Sequence, residues 1–177
     1  MALLFSSCSQ LQNTPADNYQ AKAKPPAVKK APLPVKHDTI QRDSFCIAAV
    51  GDIMLGTSYP DNRTLPPDSA LGSFKNVLNH LQAADVTFGN LEGTLLDKGD
   101  PAHYKLHLRS KGYLFRSPEK YAGVIKQAGF KVLSLANNHI GDFGDTGRVN
   151  TMKVLDNMGI NYGGQVTNPS SVFKING

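Results

Sequence analysis

Short apolar runs closed by polar residues, alternating with stripes of helical spacing, constrain this chain more than any other feature. Phe45-Cys46-Ile47-Ala48-Ala49-Val50 is continuous and stops at Gly51-Asp52, the pattern of a strand buried on both faces. Leu71, Phe74, Val77, Leu78 and Leu81 then recur on one helical face, with Ser69 or Ser73 available as cap. Val86-Thr87-Phe88 reads as a second strand, ending in Gly89-Asn90-Leu91-Glu92. Ser117-Pro118-Glu119 supplies an N-cap, a proline at the first helical position and an acid in the first turn. Tyr121, Val124, Ile125 and Ala128 form the stripe behind it, and Gly129 stops the helix. A third strand, Lys131 to Leu135, runs into Ala136-Asn137-Asn138-His139. The spacing predicts a further helix over 147–158, with Val149, Met152 and Leu155 inward and Gly159 as its stop. Ile160 to Tyr162 reads as a short strand, Ser171 to Ile175 as the start of another, and Asn176-Gly177 as a hairpin turn. Residues 97–116 fit neither period and stay unassigned. Strands alternating with helices predict an α/β fold with a mainly parallel sheet and flanking helices.

This folded part is expected over residues 44–177. Residues 9–43 carry Pro15, Pro25, Pro26, Pro32 and Pro34 among alanines and lysines, a composition that buries no core and suits an extended tether. The net charge of +5 is concentrated there: six basic residues face three acidic ones in the tether, against thirteen and eleven from residue 44 onward. With no basic face interleaved with aromatics, a nucleic-acid partner is not expected. No run approaches the roughly 18 apolar residues that a spanning helix needs.

The front end, Met1-Ala2-Leu3-Leu4-Phe5-Ser6-Ser7-Cys8, has the apolar run, small residues and cysteine of a partial bacterial lipoprotein signal over residues 1–8. Cys8 is then the lipid attachment point, and the protein is expected to be exported and anchored in the cell envelope, held at a membrane through its N-terminal lipid. The signal lacks the basic start and the roughly 7–15 apolar residues of a complete one, so the true start is expected upstream. Cys46, the other cysteine, reads as a small buried hydrophobe.

In parallel α/β sheets, ligands bind beyond the carboxyl ends of the strands. Three successive predicted strands end in groups able to bind metal: Asp52, then Asn90 and Glu92, then Asn138 and His139. Carboxylate, amide and imidazole donors converging this way suit a divalent cation such as Mg²⁺, Mn²⁺, Fe²⁺ or Zn²⁺. Taken singly, each residue also has an ordinary role. Asp52 shapes a turn, the asparagines accept left-handed backbone, and His139 donates to a carbonyl.

Val50-Gly51-Asp52-Ile53-Met54-Leu55-Gly56, Asn90-Leu91-Glu92-Gly93, Phe115-Arg116-Ser117-Pro118, and Leu133 to His139 with Asp142-Phe143-Gly144 resemble, in order and spacing, the capsule-synthesis protein CapA family. That family is linked to poly-γ-glutamate capsule biosynthesis and is similar to the calcineurin-like metallophosphoesterases. The resemblance implies a metallophosphoesterase-like α/β sandwich, here incomplete, whose site holds divalent metal ions, two in the full form. It makes Asp52, Glu92 and Asn138 metal ligands, with Asn90 and Asn137 in support, and His139 the catalytic group facing the leaving group. It implies a metal-dependent hydrolase when complete, with an anionic surface polymer or its precursor and capsule-synthesis membrane proteins as partners.

Such sites take further histidines from later strands, and none follows His139. His37 falls in the tether, His80 late in a helix, His103 and His107 in the irregular stretch, so none is expected to be a ligand. The chain is therefore expected to be the front portion of a longer protein, with a half-built, inactive metal site and an unpaired sheet edge that makes it behave poorly. A non-catalytic surface protein that binds an anionic polymer is the reading from a different class. A non-functional gene remnant is a third.

Overall fold

The structure, a computed structural model, describes residues 44–108 and 113–175. The partial signal, Cys8, the tether and the Asn176-Gly177 turn lie outside the described residues. Strand β1 (Ile47–Ile53), helix α1 (Leu78–Ala83), β2 (Val86–Leu91), β3 (Thr94–Leu95), β4 (Arg116–Ser117), α2 (Tyr121–Gln127), β5 (Val132–Ser134), α3 (Gly144–Met158) and β6 (Asn161–Gly163) follow in that order, with 3-10 turns at Asn62–Thr64 and His103–Leu108. β1, β2, β5 and β6 lie side by side in one four-stranded sheet, every pair parallel. β3 and β4 make a separate two-stranded parallel sheet. The fold is α/β with a mainly parallel sheet. No helix among the described residues is long and apolar enough to cross a membrane.

Burial of apolar side chains drives this arrangement. Leu133 and Leu135 of the β5 region, Ile125 and Ala122 of α2, Leu155 of α3 and Phe130 pack into the main core. Gly129 at φ +100 and Gly159 at φ +60 end α2 and α3, as their places in the sequence require. Tyr121 and Tyr162 are buried, at 1% and 8% exposure. Burial pushes both hydroxyls above their ordinary 10.0, with Asp68 adding to the shift at Tyr121 and Asp156 at Tyr162. A raised folded-state value means that the stability each tyrosine contributes is complete below about pH 10 and lost as pH rises through the shifted values. Urea midpoints measured from neutral pH upward are expected to fall in that range, and to fall less in Tyr121→Phe and Tyr162→Phe.

Several local expectations give way to tertiary context. β1 exists but is not buried on both faces: Phe45, Ile47 and Val50 are 57%, 62% and 39% exposed. Among the described residues it is an edge strand with only β2 beside it, so an apolar run was not enough to place it inside. Cys46 is likewise exposed, its N–H donating to Asp85 Oδ2 at 2.8 Å. The helix expected from Leu71 is confined to α1, because Ser69 and Ala70 take positive φ and residues 68–77 close as successive three-residue turns. Leu71 and Val77 are consequently exposed.

Ser117 does not cap α2. It lies in β4, and its hydroxyl donates to the Gly56 carbonyl at 2.9 Å. Among the described residues no side chain caps α2 at its N-cap, Lys120; Asp97 accepts from the Glu119 N–H at 3.0 Å in the turn that leads into the helix. In α3 the buried residues are Gly147, Thr151, Val154 and Leu155, and Val149 is 59% exposed. Residues 171–175 form no strand. The unassigned stretch is an excursion carrying a 3-10 turn and β4, secured where the Arg116 guanidinium donates to the carbonyls of Gly99 and Ser58 and to the Ser58 hydroxyl.

Candidate functional site

Parallel register sets the site. Asp52 of β1 pairs with Asn90 of β2, and Asn90 pairs in turn with Ser134 of β5, so the three strand ends open on one edge. Gly89 leaves room for side chains packed over β2, since a Cβ there would meet Ile53 Cδ1 at 2.6 Å and Val50 Cγ2 at 3.0 Å. The Asn90 amide then lies between two carboxylates. Its Nδ2 donates to Asp52 Oδ1 at 2.8 Å and to Glu92 Oε2 at 2.7 Å.

Asn137 ties the third strand end into this group. Its Nδ2 donates to Asn90 Oδ1 at 3.1 Å and to the Leu91 carbonyl at 2.8 Å. Its Oδ1 accepts from the backbone N–H groups of His139 at 3.0 Å and Ile140 at 2.8 Å. Such a side-chain turn is why asparagine suits the start of a tight loop. The structure thus brings Asp52, Asn90, Glu92, Asn137 and His139 together. Asn138 is exposed and its side chain makes no hydrogen bond to this cluster among the described residues. Its carbonyl accepts from Lys105 Nζ at 2.9 Å.

The His139 ring is held on three sides. Phe115 stacks on it with centroids 4.2 Å apart. Nδ1 meets Asp142 Oδ2 at 2.8 Å, and Nε2 points to Glu92 Oε1 at 3.9 Å. A carboxylate only accepts, so Nδ1 carries the proton of that bond and Nε2 is presented to the crevice. Asp142 is fully buried. Its Oδ2 also accepts from the Phe115 N–H at 2.8 Å. Its Oδ1 has no well-angled hydrogen bond but sits 2.8 Å from Lys105 Nζ, so the charge is balanced by an ion pair. The dyad can pass a proton at Nε2 while Asp142 fixes the ring's orientation and tautomer.

The donor chemistry fits a divalent cation in part. Two carboxylates turned toward one partially positive amide group, with amide oxygens beside them, suit a hard cation. Yet among the described residues no three His, Cys, Asp or Glu side chains stand as a metal-binding group. His80 and His103 are exposed and take no part.

Sequence reasoning gave Asp142 no role and missed Lys105. The first stands three residues beyond His139 in one turn, Asp142 N–H donating to the His139 carbonyl at 3.0 Å, and its signal was its place in the Asp142-Phe143-Gly144 motif. Lys105 comes from the unassigned excursion and left none.

The family model described as bacterial capsule synthesis protein PGA_cap matches residues 46–176. The chain belongs to the PGA_cap family. The match spans all three strand ends and the His139–Asp142 turn. The chain is 31% identical over 150 residues to the capsule biosynthesis protein CapA of Bacillus anthracis, covering 82% of this chain and 34% of that protein. Two uncharacterized proteins of Sinorhizobium fredii (strain NBRC 101917 / NGR234), y4sH and y4uA, are each 35% identical over 127 residues, covering 69% of this chain and 25% of theirs. This PGA_cap chain therefore spans a quarter to a third of the length of these relatives.

Proposed function

We propose that this chain carries part of a metal-dependent, phosphoesterase-like hydrolytic site that acts on an anionic surface polymer, poly-γ-glutamate or its precursor, during capsule biosynthesis. The observation that carries the reading is the Asp52–Asn90–Glu92 bridge facing the His139–Asp142 dyad, in which Asp142 is buried. Asp52 and Glu92 hold the cation, with Asn90 and Asn137 positioning them, and Asn138 adjoins from the next residue. When bound, a divalent cation supplies a polarised phosphoryl or similar oxygen and a water of lowered pKa. His139 serves the leaving group as proton donor from Nε2 when both ring nitrogens carry a proton, the Nδ1–H staying on Asp142. Cys8 carries the lipid that anchors the protein at the envelope membrane, where capsule-synthesis membrane proteins are its neighbours.

Isothermal titration with Mn²⁺ tests the metal. Glu92→Gln is expected to weaken binding at least tenfold, because one of two charged ligands is lost. Equal affinity in the two proteins rejects the assignment. Phosphodiester and γ-glutamyl substrates, offered to the metal-loaded protein, separate hydrolysis from simple retention of the polymer. The second reading, a non-catalytic polymer-binding protein, is favoured by the short supply of charged ligands among the described residues. Metal binding without turnover of either substrate selects it.

A further inference from the structure

A cleft of about 940 Å³ opens beside the crevice, and Asn137 and Asn138 line it. Its apolar side is Leu135, Ile140 and Met152, and Arg148 and Gln165 stand among its polar groups. The volume falls within the roughly 300–1,000 Å³ of small-ligand sites, and the lining is mixed, with Asn137, Asn138, Asp145 and Thr167 beside Arg148 and Gln165.

Arg148 is the cation of this cleft, and its seat is specific. A Cβ at Gly141 would collide with Arg148 Nη2 and with the Tyr104 hydroxyl. The guanidinium therefore lies directly on the Gly141 backbone, in the turn that runs from His139 to Asp142. Tyr104 fixes that turn by donating to the Gly141 carbonyl at 2.7 Å. Arg148 is 34% exposed, and its partner Asp145, 3.1 Å away, is 95% exposed. Nη2 also donates to the Tyr104 hydroxyl, over a long 3.5 Å; a rim pair like that with Asp145 is weakly held, so the guanidinium can exchange Asp145 for a better acceptor. An arginine fork matches a carboxylate bidentately. Asp145 also lines the cleft, so an incoming anion must displace it from Arg148.

We infer that this cleft is a substrate subsite in which Arg148 holds a carboxylate of an amide-linked chain whose reacting bond lies at the His139–Glu92 crevice. The inference rests on the proposed reading of that crevice as the reacting end. It adds where the chain runs and which residue selects its charge. Gln165 is fixed by its Nε2 donating to the Leu135 carbonyl and leaves its side-chain oxygen to accept from the chain's amide.

The test uses the 177-residue chain and a γ-linked glutamyl trimer, compared with the same trimer amidated at its carboxylates. Binding is followed by ¹⁵N chemical-shift mapping. The free-acid trimer is expected to shift residues 135–140, 148 and 164–167. Arg148→Met is expected to weaken it about tenfold or more, the effect of losing charge-assisted hydrogen bonds, with Arg148→Lys between the two. Arg148→Met should keep the wild-type Mn²⁺ affinity, which shows that it is folded. Equal binding of the amidated trimer, an Arg148→Met affinity within twofold of wild type, or no binding of the free acid at millimolar concentration would overturn the subsite. Absent Mn²⁺ binding with an intact trimer response sinks the metal reading alone.

Discussion

Replacing Lys105 with methionine is expected to destabilise the folded chain by about 3–5 kcal/mol, the cost of leaving a buried charge without its counterion. Lys105 is only 16% exposed at its side chain and Asp142 is fully buried, 2.8 Å away. Among the described residues no other group replaces that ammonium at Asp142 Oδ1, since His139 and the Phe115 N–H both approach Oδ2. The urea midpoint of Lys105→Met should drop accordingly. In the double variant with Asp142→Asn, which removes the buried charge, much of the loss should return. The coupling between the two substitutions separates the ion pair from mere packing. Function gives a second readout. If Lys105 acts through Asp142 on His139, the imidazole ¹⁵N signals of Lys105→Met should report a changed tautomer balance, and Lys105→Arg should restore them. Additive stabilities and unchanged imidazole signals would show that the pair is incidental.

Asn137→Ala is the second substitution with a large expected effect. It removes four hydrogen bonds at once: two received from backbone N–H groups of the His139 loop and two given to Asn90 and Leu91. At about 1 kcal/mol each net, less what water recovers at this part-exposed edge, the loss is roughly 2–4 kcal/mol. The His139 loop should loosen before the core does. Amide exchange at His139 and Ile140 is expected to accelerate, with Leu133 and Ile125 little changed. Asn137→Asp keeps the acceptor but loses both donors, so the loop bonds should survive in it while the link to β2 does not. A uniform loss of protection through the core would contradict this local role.

Much of the site was legible because parallel strands present their last residues on one edge. Asp52, Asn90, Glu92 and His139 were found from nothing more than apolar runs and the polar groups that close them. The family motifs pointed to the same positions. The choice between Asn137 and Asn138 was not legible. Consecutive residues leave a strand in different directions, and the turn geometry after β5 sent the first amide into the cluster and the second toward the cleft. Asp142 was visible only as part of the Asp142-Phe143-Gly144 motif, with no role attached to it. Lys105 was invisible, because its approach from the 3-10 turn at His103–Leu108 is set by how the excursion packs, and no local period encodes that.

The sequence by itself determined the alternation of strand and helix, the stops at Gly129 and Gly159, and the set of polar strand ends, all of which follow from side chains a few residues apart. The tertiary structure alone decided that β1 lies at an edge of the described sheet with Ile47 exposed, that Ser117 joins β4 instead of capping α2, and that Lys105 and Asp142 stand behind His139. Each of these depends on which distant segment lies alongside, and that is fixed by the packing of the whole chain, where long-range burial outweighs local preference.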